Sequence, residues 1–225
     1  MIGYSYDISS CVLKSLKVLE IEVPHIEEIS SLPKIERNIK IGLFWKHHPE
    51  LHRIYRQFVN DVIDEYIMQI GPSNVILKQF DGFVSTVPLK SCTCSILPID
   101  FRHCLDPILP IEGNSYIGYD LLSSNIVSKG LRFETLGLNG LLRRLLSIES
   151  MTQLKKLFVS VMNGSYDLSL YCIRERSGYF IHLNGGNKVE VNPDKLRLIK
   201  LSNINTSFYY NLLRPILRAK IQSLL

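Results

Sequence analysis

An α+β fold is predicted by three features of this 225-residue chain. A long segment beginning at Pro49 repeats its apolar residues at three- and four-residue intervals, the period of an amphipathic helix. Two short strand-like segments, residues 3–11 and 75–85, each present one aspartate. Towards the C-terminus, three short apolar runs are separated by Gly- and Asn-rich turns, as in an antiparallel meander.

Taken in order, residues 2–8 are rich in Tyr and Ile and read as a strand. Leu13, Leu16, Leu19 and Val23 then fall near helical spacing, and Pro24 closes that segment. Over residues 34–45, Ile35, Ile39, Ile41, Leu43 and Phe44 permit a second helix. The strongest helix starts at Pro49 and carries Leu51, Ile54, Tyr55, Phe58, Val62, Ile63, Tyr66 and Ile67. Gly71-Pro72-Ser73-Asn74 stops it, and residues 75–87 read as a hairpin turning at Asp81-Gly82. Four prolines between residues 88 and 128 argue against long helices there. Helical patterns return at 138–146 and 151–162, followed by the meander over 168–191. A last helix is predicted over 207–224, bent at Pro215.

No run reaches the roughly 18 apolar residues of a membrane span, so no membrane partner is expected. No basic-then-apolar leader opens the chain, and five cysteines do not form an even disulfide framework. A reducing, cytoplasmic location is the expectation. Charge is unevenly distributed. Residues 1–128 hold 11 Lys and Arg against 15 Asp and Glu, a balance of −4. Residues 129–225 hold 15 against 6, a balance of +9. Two domains divided at 128/129 are therefore expected. The basic one offers Arg143, Arg144, Lys155, Lys156, Arg214 and Arg218 to the phosphates of DNA or RNA. A solvated basic face and a protein partner are the alternatives.

Chemistry is most concretely suggested by Asp7 and Asp81, because two carboxylates at strand ends are the minimum for holding a pair of divalent metals. Read in order, the chain presents Asp7-Ile8-Ser9-Ser10, then Lys34-x3-Asn38-x3-Gly42, then Gln79-Phe80-Asp81-Gly82. Over residues 3–86 this resembles the palm and fingers motifs of family B DNA polymerases. There the first motif reads Asp-x-x-Ser-Leu-Tyr-Pro, the second Lys-x3-Asn-Ser-x-Tyr-Gly, and the third Asp-Thr-Asp-Ser or Asp-Thr-Asp-Gly. The resemblance implies a palm-like sheet with packed helices and a smaller basic, thumb-like subdomain bearing the meander and last helix. It implies Asp7 and Asp81 as catalytic metal ligands for Mg2+ or Mn2+, Lys34 on the nucleotide phosphates, and Asn38 in the nucleotide pocket. The chain departs from the family in several respects. Only 26 residues separate Asp7 from Lys34, Val12 replaces the tyrosine that screens the sugar, Ile41 replaces that of the second motif, and Gln79 replaces the first aspartate of the third.

The same residues also fit plainer roles. Asp7 suits a helix N-cap, Asp81-Gly82 a hairpin turn, and Lys34 and Asn38 a solvated helix face. The corresponding functional alternative is a non-enzymatic nucleic-acid-binding or assembly protein, and a non-catalytic palm descendant lies between. His48 and His52 flank Pro49, which suits a helix start rather than a zinc-hydrolase helix. Cys92, Cys94, His103 and Cys104 are soft ligands at spacings unlike structural zinc sites. Asp61, Asp64 and Glu65 share part of a helix face, as a nuclease cluster or a solvated one. No phosphate loop, dinucleotide fingerprint or nucleophile elbow is present.

Overall fold

A computed structural model describes residues 1–90, 96–131, 133–198 and 203–225. The fold is α+β, with seven α-helices and nine strands among these residues. It divides into two compact units, Gly3–His103 and Cys104–Leu225 with Met1–Ile2. The change in charge balance at 128/129 does not coincide with this division. Charge reports what the surface carries, whereas a unit is set by which apolar faces pack together.

In the unit Gly3–His103, β1 (Gly3–Asp7) pairs antiparallel with β3 (Gly82–Ser85), and β3 with β2 (Val75–Lys78). Four helices accompany them: α1 (Cys11–Val18), α2 (Ile26–Ser31), α3 (Lys34–His47) and α4 (Pro49–Ile70). The long helix forms where its period predicts. Pro49 occupies its first turn, where a missing N–H costs nothing. It buries Tyr55, Val59, Val62, Ile63, Tyr66, Ile67 and Ile70, a 3–4 stripe, whereas Ile54 is exposed. Gly71 at φ 89° ends it, and Asn74 Nδ2 donates to the Ile70 carbonyl at 2.8 Å. The stripe packs with Tyr6, Ile8, Leu16, Ile41, Trp45 and Phe83 in one core.

α1 is shorter than the Leu13–Val23 pattern suggests, because Glu20 takes a left-handed φ of 51°. Asp7 ends β1, and α1 begins after Ser10, so Asp7 is not the helix N-cap. The hairpin turns through Gln79, Phe80 and Asp81, with Gln79 N donating to the Gly82 carbonyl at 2.9 Å. Gly82 itself is a strand residue opposite Asp7, not a left-handed turn residue.

The second unit contains strands that prolines hid from the sequence reading. β4 (Asp100–Ile111) begins in the first unit, continues past Pro107 and Pro110, and shifts register between Leu105 and Ile108. Such an irregularity lets a strand accommodate proline. β5 (Ser115–Asp120) pairs with β4 and with β6 (Asn125–Lys129). Asp120 closes the β5–β6 loop: its buried carboxylate accepts from Cys104 N at 3.1 Å, Leu122 N at 3.3 Å and the Ser123 hydroxyl at 2.7 Å.

α5 (Leu138–Leu146) buries Leu138, Leu141, Leu142 and Leu145, and α6 (Met151–Met162) starts at a Ser150 cap. The meander is β7 (Ile173–Glu175), β8 (Gly178–His182) and β9 (Lys188–Val191), paired in chain order. Residues Leu168–Tyr171, read as its first strand, instead form a 3-10 turn because Asp167 caps Ser169 N at 2.9 Å. α7 (Thr206–Leu224) contains Pro215 and is tied to the meander through Tyr209, which donates to Tyr171 O at 2.5 Å and accepts from His182 N at 2.9 Å.

Candidate functional site

α3 shows how this sequence builds a cleft wall. Positions 34, 37, 38, 41 and 45 recur at i, i+3, i+4, i+7 and i+11, so they share one helix face. The C-terminal part of that face carries Ile41 and Trp45, which are buried in the core. Its N-terminal part carries Lys34, Arg37 and Asn38, which extend the face beyond the core and line a cleft of about 450 Å³.

The opposite side of the cleft comes from the sheet. Asp7, at the end of β1, and Asp81, in the β2–β3 turn, line it together. They meet there because β1 and β3 pair: Asp7 lies opposite Gly82, and Ile8 N donates to the Asp81 carbonyl at 2.8 Å. Both aspartates are half-buried. Gly82 is required by closeness: a methyl at its Cα would overlap the Tyr6 carbonyl and stand 2.8 Å from Asp7 Oδ1.

Arg102 on β4 completes the charged lining. It donates to the Ser9 hydroxyl, which donates to Asp100, and its guanidinium also lies 3.6 Å from Asp100. The cleft therefore presents two carboxylates with three cations, Lys34, Arg37 and Arg102. A carboxylate pair can hold divalent metal, and fixed cations near it can hold phosphate.

Beneath them, Tyr55 OH lies 3.9 Å from Cys11 Sγ. Burial pushes the Cys11 thiol up, and the negative charges of Asp81 and Asp7 push the same way, against the hydrogen bonds from Tyr55 and Ser15. Burial likewise raises the Tyr55 phenol well above its ordinary value. Both groups stay protonated at neutral pH, which makes the floor neutral.

The sequence-predicted residues thus fall into two groups. Asp7, Lys34, Asn38 and Asp81 line one cleft. Among the basic residues, Lys155, Arg214 and Arg218 rim a groove of about 240 Å³ between α6 and α7, floored by Leu154, Phe158 and Leu217. Arg143 and Arg144 lie elsewhere on α5, over the rings of Tyr119 at 5.7 Å and Tyr166 at 5.9 Å. Lys156 is exposed on α6.

Other candidates take structural roles. His52 stacks on Trp45 at 5.2 Å, and His48 packs tilted against Phe44 at 4.6 Å. Asp64 accepts from Lys78 Nζ at 2.6 Å, tying β2 to α4, and Asp61 accepts from Gln57 at 2.7 Å. Cys92 and Cys94 lie outside the described residues, and Cys104 is half-buried at the β4 edge of the Asp120 loop. Among the described residues, no cluster of three or more His, Cys, Asp and Glu is set to hold a metal ion.

Arg37 was legible in the sequence, one turn beyond Lys34 on the same face. Arg102, Ser9 and Tyr55 were not, because their place depends on long-range pairing. No protein-family model matches this chain, and no match is found among curated proteins.

Proposed function

We propose that this chain is a nucleic-acid protein whose unit Gly3–His103 carries out two-metal nucleotidyl transfer of the polymerase palm type. The observation that carries the reading is the shared cleft, in which Asp7 and Asp81 face Lys34, Arg37 and Asn38. Two half-buried carboxylates fit Mg2+ or Mn2+, since Mg2+ is commonly held by one or two carboxylates with water and substrate phosphates supplying the rest. Such ions, when bound, lower the pKa of an attacking hydroxyl and neutralise the leaving pyrophosphate. Lys34 and Arg37 hold the triphosphate and oppose the charge that develops during transfer, and Asn38 shapes the nucleotide pocket. The exposed cations of the second unit contact the phosphates of DNA or RNA. A cytoplasmic location suits the free thiols of Cys11, Cys104 and Cys172.

Primer extension with Mg2+ or Mn2+ tests this. Activity that requires metal and is lost in both Asp7→Ala and Asp81→Ala is expected, with Lys34→Ala weakening nucleotide use. Absence of metal-dependent transfer on every template refutes it. A second reading, non-enzymatic binding or assembly, is favoured by the groove between α6 and α7, where an apolar floor meets Lys155, Arg214 and Arg218. Salt-dependent nucleic-acid binding without catalysis is its outcome.

A further inference from the structure

Phe80 is an exposed aromatic whose position is fixed. It occupies the tip of the β2–β3 turn and is 42 % exposed. On one side Gln79, which is buried, donates its N–H to the Gly82 carbonyl at 2.9 Å. On the other, the Asp81 carbonyl accepts from Ile8 N at 2.8 Å. The backbone on both sides is tied, which holds the Cα of Phe80 at the tip of the turn. Its edge meets Tyr55 at 5.6 Å, and the Arg56 guanidinium lies over it at 5.7 Å.

The ring also lies where two clefts adjoin. It lines the cleft of Asp7 and Asp81, and it lines a second, open cleft of about 500 Å³ on α4. That second cleft carries Arg53, Arg56, Gln57 and Asn60, and among the described residues no carboxylate lines it. The Gln57 and Asn60 amides are held by Asp61 and Asp64. Among the described residues Arg53 pairs with Glu50, one turn away at 3.2 Å, with both side chains largely in solvent, a kind of ion pair that contributes little. An exposed aromatic ring with arginines about it, where the neighbouring carboxylates Glu50, Asp61 and Asp64 are each engaged by a partner, is the composition that takes up unpaired bases and their backbone.

We propose that Phe80 is a stacking platform for an unpaired base of single-stranded nucleic acid, whose phosphates pass Arg53 and Arg56 in the α4 cleft. The platform stands independently of catalysis. Only the further statement, that the next nucleotide enters the cleft of Asp7 and Asp81, rests on the nucleotidyl-transfer reading. Binding is sequence-tolerant, because every base has a stacking face, and it is favoured by single strands over duplex.

The test is binding of a short fluorescein-labelled oligothymidylate to the full chain in metal-free buffer, followed by anisotropy across a salt series. A matched oligonucleotide carrying 2-aminopurine reports stacking by its quenching. Phe80→Ala is expected to weaken binding by about tenfold and relieve the quenching, whereas Phe80→Trp keeps both. Arg53→Ala and Arg56→Ala each lower the slope of log affinity against log salt by about one. Far-ultraviolet circular dichroism checks that each variant is folded. Wild-type affinity in folded Phe80→Ala, an equal loss in Phe80→Trp, or no binding by the wild type would each overturn the proposal. Metal-dependent transfer by the wild type together with wild-type oligonucleotide affinity in folded Phe80→Ala sinks this inference and leaves the catalytic reading. Phe80-dependent binding without any transfer does the reverse.

Discussion

Replacing Gly82 by alanine probes the geometry on which the aspartate cleft depends. The added Cβ would overlap the Tyr6 carbonyl oxygen, stand 3.1 Å from the Tyr6 carbonyl carbon and 2.8 Å from Asp7 Oδ1. Two of these neighbours are backbone, so no side-chain rotamer relieves the clash and β1 must move. Overpacking of this kind costs about 1–3 kcal/mol. Strain on the Ile8 N to Asp81 O bond, 2.8 Å long, adds about 1 kcal/mol if that bond is lost. The expected destabilisation is about 2–4 kcal/mol, or roughly 30- to 700-fold in the folding equilibrium. Trp45 is the single tryptophan and sits in the same core, so its fluorescence in a urea titration reads this unit. The midpoint should fall by about 1–2 M. Asparagine discriminates between the reasons for glycine. If Gly82 were needed for a left-handed turn, Gly82→Asn would recover most of the loss, because Asn tolerates that conformation. If close approach is the reason, Asn costs at least as much as Ala. An unchanged midpoint in Gly82→Ala, or a near wild-type Gly82→Asn, would refute the reasoning.

Gly42 is the opposite case: it is exposed within α3, and a Cβ there meets nothing within 4 Å. Gly42→Ala should stabilise the protein by about 0.4–1 kcal/mol by restricting the unfolded chain, seen as a raised urea midpoint. Ile63 is fully buried on α4, and Ile63→Ala should cost about 2–5 kcal/mol in the same titration. Glu175 is held below its ordinary pKa by the hydrogen bond from Lys188 at 2.5 Å, with His182 at 3.2 Å adding to the effect. A depressed carboxylate contributes stability above its unfolded pKa and loses it as pH falls through the folded value. Glu175→Gln should therefore be less stable than wild type near neutrality, and the gap should close in acid below the usual carboxylate range. A gap that persists there would show that the pair acts through shape rather than charge.

Much of the helical framework was legible because amphipathic periodicity is a local property. The α4 stripe, the α6 bounds and the meander turns follow from spacing, proline and glycine alone. The strands β4 to β6 were not legible. Pro107 and Pro110 signal a break in any short window, and only pairing with β5 around an irregular register makes them part of a strand. In the same way the Asp81-Gly82 pair reads locally as a turn dipeptide. Its glycine is fixed instead by a neighbour more than seventy residues away in the chain, the Tyr6 carbonyl.

The candidate site divides along the same line. Asp7 and Asp81 stood out as carboxylates at strand ends, and Lys34 and Asn38 as one helical spacing. Residue types and local periods are written in the chain, so the α+β class, the α4 core stripe and these four candidates follow from it without the fold. Their meeting in one cleft, the addition of Arg37 and Arg102, the neutral Cys11–Tyr55 floor and the exposure of Phe80 were decided by tertiary structure. The physical reason is that proximity across β1–β3 pairing and helix packing depends on contacts between residues far apart in sequence. No local pattern encodes those distances.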